Sequence, residues 1–326
     1  MKMSRVLICI TICAAVLTGG VSAQATLSLK LAEIHEAGFP TTQGDEEFAR
    51  LVKERSAGRI VITVYPSGQL GEETPVIQKV QTGDIDFARI SLSPMAQSAP
   101  ELNVLTLPYI YTDSVQMWKV LQGPIGTEML KSVEKAGLVG LNFLDAGSRS
   151  FYTSKKQIKT VADLKGLKIR VQDNKLIKDL MGYLGAAGIP MATGDIYSAI
   201  QTGTVDGAEN NIPSYVGFSH HEVAKYFTFD GHTRVPEITV ISKALYDKLS
   251  AADQTLIKKA AADAVEFQKA KWADSEKTYA DKAKAAGCIF YTPDAKAIAE
   301  FQKAVEPIYK DYAKYADLIA RIRATK

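Results

Sequence analysis

The sequence is poor in cysteine and histidine, and positive and negative charges almost balance. Its 326 residues include 3 cysteines and 4 histidines, and the formal net charge is +3. This balance, with no run of lysine and arginine, argues against a nucleic-acid partner. Histidines and other ligand types do not recur at the spacing of a metal site, so the sequence predicts neither a metal nor a cofactor.

The N-terminus has the three parts of a secretory signal peptide. Lys2 and Arg5 provide the positive charge, residues 6–17 are apolar, and small residues lead up to Ala23. The apolar run is too short to span a bilayer comfortably. We therefore predict a signal peptide over 1–23, cleaved after Ala23. The mature chain is expected in the periplasm of a Gram-negative bacterium, without stable membrane insertion.

Disulfide bonds are not expected in the mature chain. Cys9 and Cys13 leave with the predicted signal peptide, and Cys288 alone cannot form an intramolecular disulfide. A protein exported to an oxidising compartment without such crosslinks must take its stability from a large packed core. The length, with 46% apolar residues, is sufficient for one.

The remaining sequence alternates between strand and helix patterns, which predicts an α/β fold with mainly parallel sheets. The predicted strands are 27–32, 60–65, 85–90, 138–144, 150–153, 167–171, 205–209 and 238–241. The predicted helices are 45–55, 72–81, 174–184, 195–201, one or two over 251–284, and a terminal region over 301–322 interrupted near Pro307.

An internal similarity supports two lobes. Residues 80–89 read VQTGDIDFAR, and residues 200–209 read IQTGTVDGAE. Both segments run from the end of a helix through a glycine into a short strand. Because ligands of open α/β sheets bind outside the carboxyl ends of the strands, two such ends facing each other would form a cleft.

Two arginines in predicted strands are candidates for anion binding. Arg149 begins one strand and Arg170 lies inside another. A guanidinium group is costly to bury unless an acid or an anion pairs with it, and its planar fork matches a carboxylate at two points. A solvated strand face would explain the same pattern, because Lys168 and Arg170 lie on one side. The residues alone leave both interpretations open.

Motifs of common enzyme classes are missing. The sequence has no G-x-S-x-G elbow, no Walker loop and no calcium-loop pattern. Dispersed catalytic carboxylates would leave no such motif, so an enzyme is not excluded by these absences.

Several segments in combination resemble the periplasmic solute-binding subunits of TRAP transporters. They include Ser148-Arg149-Ser150, 160–171, 184–191 and 196–210, with further similarity over 58–71 and 107–109. The resemblance spans essentially the whole mature chain. It implies a two-lobed clamshell with hinge strands and a long helix spanning both lobes. It also implies a protein that binds a small organic anion unchanged, delivers it to membrane permease subunits, and is expected to be a monomer.

We expect lobe I to comprise 24–147 plus about 233–275, and lobe II to comprise 148–232 plus about 276–326. In the family, an arginine matching Arg170 pairs with the ligand carboxylate, a second arginine matches Arg149, and an asparagine matches Asn210. The spacing between the two arginines differs by a residue from some members.

The ligand predicted by this resemblance is a hexuronate such as glucuronate or galacturonate. Segments 32–38 and 87–91 resemble members that bind sugar acids, and Glu33, His35 and Arg89 are expected to contact ligand hydroxyls from the opposing lobe. A dicarboxylate or another hydroxy acid is the alternative ligand, and a periplasmic enzyme acting on sugar acids is the alternative function. Further candidates at the cleft are Asn211, Asp173, Glu237 and Thr193.

Overall fold

The computed structural model describes residues 26–326, so the predicted signal peptide over 1–23 lies outside the described residues. The strands are β1 Leu27–Ala32, β2 Ile60–Tyr65, β3 Phe87–Ser91, β4 Leu138–Leu144, β5 Arg149–Thr153, β6 Lys168–Val171, β7 Ala187–Pro190, β8 Gly207–Asn210, β9 Tyr226–Thr233, β10 Glu237–Ser242 and β11 Ile289–Tyr291. Within this part of the chain, no helix combines the length and the apolar character that a bilayer crossing requires.

Helices cover the sheets and connect their strands. They are α1 Pro40–Arg55, α2 Glu73–Thr82, α3 Leu92–Met95, α4 Ser114–Leu121, α5 Pro124–Ser132, α6 Lys175–Tyr183, α7 Ile196–Gln201, α8 Ile212–Gly217, α9 His220–Val223, α10 Lys243–Tyr246, α11 Ala251–Ala285, α12 Ala295–Val305, α13 Ile308–Asp311 and α14 Ala316–Ala324. Short 3₁₀ helices lie at Pro100–Thr106, Val133–Ala136, Val161–Leu164, Thr193–Asp195 and Ala313–Tyr315.

The strands form two separate sheets, which confirms the predicted two-lobed α/β fold. The first has the order β2-β1-β3-β10-β4, and the second has the order β11-β9-β5-β8-β6-β7. Both are mixed rather than mainly parallel. In the first sheet β10 runs antiparallel to β3 and β4, and in the second β5 runs antiparallel to β8 and β9. Each reversed strand begins directly after the chain has crossed from the other sheet, so it enters from the opposite direction.

Two crossing connections join the sheets side by side. Residues 145–148 link β4 to β5, and residues 234–236 link β9 to β10. At the ends of these connections Glu237 pairs with Leu144, and Arg149 pairs with Thr233. The paired crossings have the arrangement of a two-strand hinge.

Helix α11 is one continuous helix of 35 residues. It packs against α1 and β4 beside the first sheet and against α8 beside the second. Near its middle the buried Gln268 amide bonds the backbone N–H and C=O of Asp145, at 2.8 and 2.9 Å, where the first crossing begins. The expected helix spanning both lobes is therefore present.

The C-terminal helices divide between the two sides. Helices α12 and α13 pack against α6, whereas α14 lies on the helices beside the first sheet. There Gln116 of α4 donates to the carbonyl of Thr325 at 2.8 Å, and Arg321 pairs with Glu128 of α5 at 2.8 Å. The lobe boundaries expected from the sequence stay a prediction.

The two similar segments occupy equivalent places in the two sheets. Gly83 ends α2 and Gly203 follows α7, both in the left-handed region, with φ of 85° and 74°. Each turn leads into a strand buried along its whole length, β3 and β8. Glycine adopts positive φ without steric cost, so these two positions fix how each helix returns to its sheet.

Candidate functional site

A cavity of about 310 Å³ lies where the first and second sheets face each other. Its size is at the lower end of the range for small-molecule pockets. The first-sheet side contributes the start of α2, and the second-sheet side contributes the ends of β6 and β7. Its lining residues are Glu72, Glu73, Thr74, Pro75, Pro94, Arg170, Gln172, Asp173, Pro190, Met191, Ala192 and Thr193.

Hydrogen bonds across the cleft hold the edges of this cavity together. Asn174 Nδ2 donates to the carbonyl of Ser93 at 2.6 Å. Gln97 Nε2 donates to the carbonyl of Asp173 at 2.5 Å, and the N–H of Gly194 donates to Glu72 Oε1 at 3.3 Å. The two sides are therefore in direct contact, as in a closed clamshell.

Arg170 is a buried cation without an acidic partner. Only 2% of it is exposed, and no carboxylate within residues 26–326 lies at ion-pair distance. Its Nε and Nη2 donate to the carbonyl of Met191, at 2.9 and 2.5 Å. Burial, reinforced by the like charge of Arg149, lowers the pKa of Arg170 to about 10. The terminal edge of the guanidinium group, formed by Nη1 and Nη2, makes no other hydrogen bond among the described residues. This edge can form a two-point contact with an anion.

Arg149 is also buried, but its charge is paired within the chain. Both its Nε and its Nη2 bond the Glu209 carboxylate, and Nη1 donates to Asn210 Oδ1 at 2.9 Å. Asn210 Oδ1 also accepts from the N–H of Asn211 at 2.9 Å. These two bonds fix the orientation of the amide, so Asn210 Nδ2 is left as a donor without a protein hydrogen bond among the described residues.

His232 lies next to the Arg149–Glu209 pair and contacts two carboxylates. His232 Nδ1 lies 2.7 Å from Asp230 Oδ2, and His232 Nε2 lies 3.4 Å from Glu209 Oε2. Burial alone would lower the pKa of His232, but the two carboxylates raise it to about 9. Burial would likewise raise the pKa of Glu209, yet Arg149 and His232 hold it at about 2. Arg149 is thereby held in one position.

Arg89 is the most heavily paired guanidinium group. Its Nη2 lies 2.6 Å from Glu33 Oε1, and its Nη1 lies 2.8 Å from Glu73 Oε1 and 2.9 Å from Glu237 Oε2. His35 Nδ1 lies 2.7 Å from the accepting Glu33 Oε1, and the ring centroids of His35 and Phe39 are stacked 4.0 Å apart. This group, which we call the Arg89 cluster, fills the first-sheet side behind the cavity.

Charge within the Arg89 cluster is distributed unevenly. Burial would raise the pKa of Glu33, but Arg89 and His35 bring it well below its ordinary value. Burial raises the pKa of Glu237 to about 7 despite Arg89, and burial together with Glu33 raises that of Asp45 well above its ordinary value. A single guanidinium group therefore does not hold the pKa of every neighbouring acid below its ordinary value.

The residues predicted from the sequence fall into three groups in the structure. Arg170, Asp173 and Thr193 line the cavity itself. Arg149, Asn210 and Asn211 lie together on β5 and β8, where Asn211 caps α8 through Ser214 N at 2.7 Å. Glu33, His35, Arg89 and Glu237 form the Arg89 cluster. The ligand-binding roles assigned to them stay predictions.

Most cavity residues were not predicted from the sequence, among them Glu72, Glu73 and Gln172. Glu72 and Glu73 stand at the start of a helix, where acidic residues are common because they complement the helix dipole. Their position therefore gave no separate functional signal. Gln172 follows Arg170 by two residues, so strand alternation places both on one face and could have identified it. Its buried Oε1 has no hydrogen bond within residues 26–326.

Comparison with known proteins identifies the family. Residues 31–315 match the model for bacterial extracellular solute-binding proteins of family 7. A structure of a TRAP periplasmic solute-binding protein from Bradyrhizobium sp. BTAi1, in complex with D-galacturonate, is 40% identical with a TM-score of 0.89, covering 91% of this chain and 100% of that one. One from Pseudomonas putida F1 with bound D-glucuronate is 40% identical with a TM-score of 0.88, covering 92% and 98%.

A curated relative extends this similarity to another sugar acid. The 2,3-diketo-L-gulonate-binding periplasmic protein of Escherichia coli K12 is 30% identical over 317 residues, which are 94% of this chain and 96% of that protein. The chain therefore belongs to the family 7 bacterial extracellular solute-binding proteins, the solute-binding subunits of TRAP transporters, and is a binding protein and not an enzyme.

Proposed function

We propose that the protein captures a hexuronate, D-glucuronate or D-galacturonate, in the cavity between its two sheets and delivers it to the membrane subunits of a TRAP transporter. Two structures that are 40% identical to this chain contain these sugar acids. The ligand leaves chemically unchanged, as expected of a solute-binding subunit.

The observation that carries this proposal is that the guanidinium group of Arg170 is buried and unpaired. It is 2% exposed and lacks a carboxylate partner within the described residues. A charge held in this way is costly unless an anion compensates it. The carboxylate of a uronate would supply that anion and would accept two parallel hydrogen bonds from the guanidinium fork.

Arg149 and Asn210 extend the binding site on the same side. Arg149, whose charge is paired by Glu209, holds the Asn210 amide in place, and the free Nδ2 of Asn210 is a donor for the ligand carboxylate or a neighbouring hydroxyl. Closure of the cleft removes water around these contacts, and charge pairs are stronger where water is excluded. Binding and closure therefore support each other.

The decisive experiment is a calorimetric titration of the mature chain with D-glucuronate and D-galacturonate. Arg170→Lys keeps the charge but loses the two-point fork, so we expect affinity to fall by roughly 30-fold or more. Arg59→Lys is the matched control, because Arg59 pairs with Asp253 at the surface away from the cavity. Absence of uronate binding by the wild-type chain, or equal affinities of the two variants, would refute the proposal.

The cellular location and assembly state are part of the same proposal. We propose that residues 1–23 are removed on export and that the mature protein is a periplasmic monomer. N-terminal sequencing of the exported chain should begin at Gln24. Light scattering should give the mass of a single chain, and a dimer mass or an uncleaved N-terminus would contradict this part.

A further inference from the structure

Glu73 faces the cavity from the side opposite Arg170. It is the first residue of α2 and is 8% exposed, and it lines the cavity together with Glu72 and Asp173. The cavity thus has one unpaired guanidinium group on the second-sheet side and two glutamates on the first-sheet side. On the first-sheet side the charged lining residues are all acidic, whereas on the second-sheet side Arg170 stands beside Asp173.

The hydrogen bonds of Glu73 leave half of its carboxylate available. Oε1 accepts from Arg89 Nη1 at 2.8 Å and from the N–H of Ser91 at 2.7 Å. Oε2 has no hydrogen bond among the described residues. An ionised carboxylate only accepts hydrogen bonds, so a ligand hydroxyl group is a suitable partner for Oε2 and a ligand carboxylate is not.

Arg89 cannot compensate a second acidic group of the ligand. Its guanidinium already contacts Glu33, Glu73 and Glu237, and it is 1% exposed. A second ligand carboxylate placed near α2 would meet Glu72 and Glu73 with no unpaired cation beside it. Like charges brought together in a cleft from which water is excluded oppose binding strongly.

We propose that Glu73, held by Arg89 and Ser91 N, is a specificity-determining residue that selects hydroxylated acids with one carboxylate over diacids. Glu72 contributes the same sign of charge from the cavity rim. Glu73 would accept a hydrogen bond from a hydroxyl at the end of the ligand remote from Arg170. This inference rests on the proposed function, because it assumes that Arg170 takes the single carboxylate.

The experiment compares D-glucuronate with D-glucarate, which has a carboxylate at both ends. The ratio of their dissociation constants is measured by calorimetry for the wild type, Glu73→Gln and Glu72→Gln. Wild type should favour glucuronate by about tenfold or more, and Glu73→Gln should reduce this preference by about tenfold. Glu72→Gln should shift the ratio in the same direction by less, and it tests the idea even if Glu73→Gln does not fold.

Glu46→Gln is the matched control, since Glu46 is exposed on α1 outside the cavity. It should leave the ratio at the wild-type value. If wild type binds glucuronate and glucarate equally, or if the ratio is the same in all variants, the role of Glu73 is wrong while the proposed function stands. If wild type binds glucarate and no uronate, both are wrong.

Discussion

Arg89 and Arg170 are both buried guanidinium groups beside one cavity, yet their surroundings are opposite. Arg89 contacts three carboxylates on the first-sheet side, whereas Arg170 bonds only the carbonyl of Met191 among the described residues. Although burial alone would lower both pKa values, the carboxylates raise that of Arg89 well above its ordinary value, and that of Arg170 falls to about 10.

We propose that this difference separates a charge with a structural role, Arg89, from a charge that binds the ligand, Arg170. Arg89 already has its counter-charges, so it organises the acids around it and offers no unpaired charge to a ligand. Arg170 lacks a counter-charge, which a ligand can supply. Arg149 is intermediate, because Glu209 pairs its charge while Asn210 beside it retains a free donor. Burial and residue type are the same in all three cases, and the neighbouring carboxylates decide the role.

The largest expected effect is on stability, when each guanidinium group is replaced by an apolar side chain of similar length. Arg89→Met leaves Glu33, Glu73 and Glu237 without their shared cation, so we expect the free energy of unfolding to fall by about 3–5 kcal/mol. Arg170→Met removes an unpaired buried charge and should leave the stability of the ligand-free protein equal or higher. Urea denaturation of both variants measures the difference.

Loss of uronate binding by Arg170→Met, together with undiminished stability, would establish the separation of roles. Equal destabilisation by the two substitutions would contradict it. Because both variants lose one positive charge and gain a methionine, their difference reports the local surroundings and not the change in side-chain type.

The second-largest expected effect is a pH dependence of thermal stability. It tests whether His232 stabilises the ion pair between Arg149 and Glu209. The pKa of His232 is raised to about 9 by Asp230 and Glu209, above the ordinary value of 6.5. Its contribution to stability is therefore complete below about pH 6.5 and is lost as the pH rises through about 9. We expect the thermal midpoint of the wild type to fall over this interval, and His232→Gln to lack this alkaline decline.

The control for this measurement is His221→Gln. His221 lies in α9, and burial lowers its pKa below the ordinary value, away from the interval between pH 6.5 and 9. Its substitution should leave the alkaline decline unchanged. An identical decline in wild type and His232→Gln would mean that His232 is not the group that titrates.

Sequence patterns predicted those strands and helices whose apolar periodicity matches their burial in the folded protein. Strand β1 was predicted with its observed bounds, and helix α11 was predicted within a residue of its end. Strand β9 was missed because Asp230, Gly231 and His232 resemble a loop. Asp230 and His232 are buried in a strand only because partners distant in sequence contact their side chains: the N–H of Phe151 donates to Asp230, and Glu209 lies beside His232.

Some residues of the candidate site could be predicted from the sequence, but not which charged side chains would form ion pairs with one another. Arg170, Asp173 and Thr193 were identified from the sequence and line the cavity. The sequence could not show that Arg89 would be surrounded by carboxylates from three separate segments, since that depends on which strand ends the fold brings together. For the same reason the position of Glu73 between Arg89 and the cavity was missed.

The smallest expected effect concerns closure of the cleft, on which the pairing of Arg170 depends. Asn174 Oδ1 caps α6, while its Nδ2 bonds Ser93 O and Asn103 Oδ1 across the cleft at 2.6 and 2.9 Å. Asn174→Asp retains the cap, because aspartate caps as well as asparagine, but it places an acceptor opposite two acceptors. We expect affinity for D-glucuronate to fall by about tenfold, with little change in ligand-free stability.

Asn103→Asp is the matched control, because it changes an amide to a carboxylate on the other side of the same hydrogen bond, keeps the acceptor atom, and loses only a local donor to the carbonyl of Pro100. Its affinity should stay near the wild-type value. Small-angle scattering of the ligand-free Asn174→Asp protein should show a larger radius of gyration than the control, since the closed form alone contains the repulsive contact. If both variants lose affinity equally, the decisive factor is the added charge near the cleft. The Asn174 bond would then have no specific role in closure, and the ion pair to Arg170 would form without help from this bond.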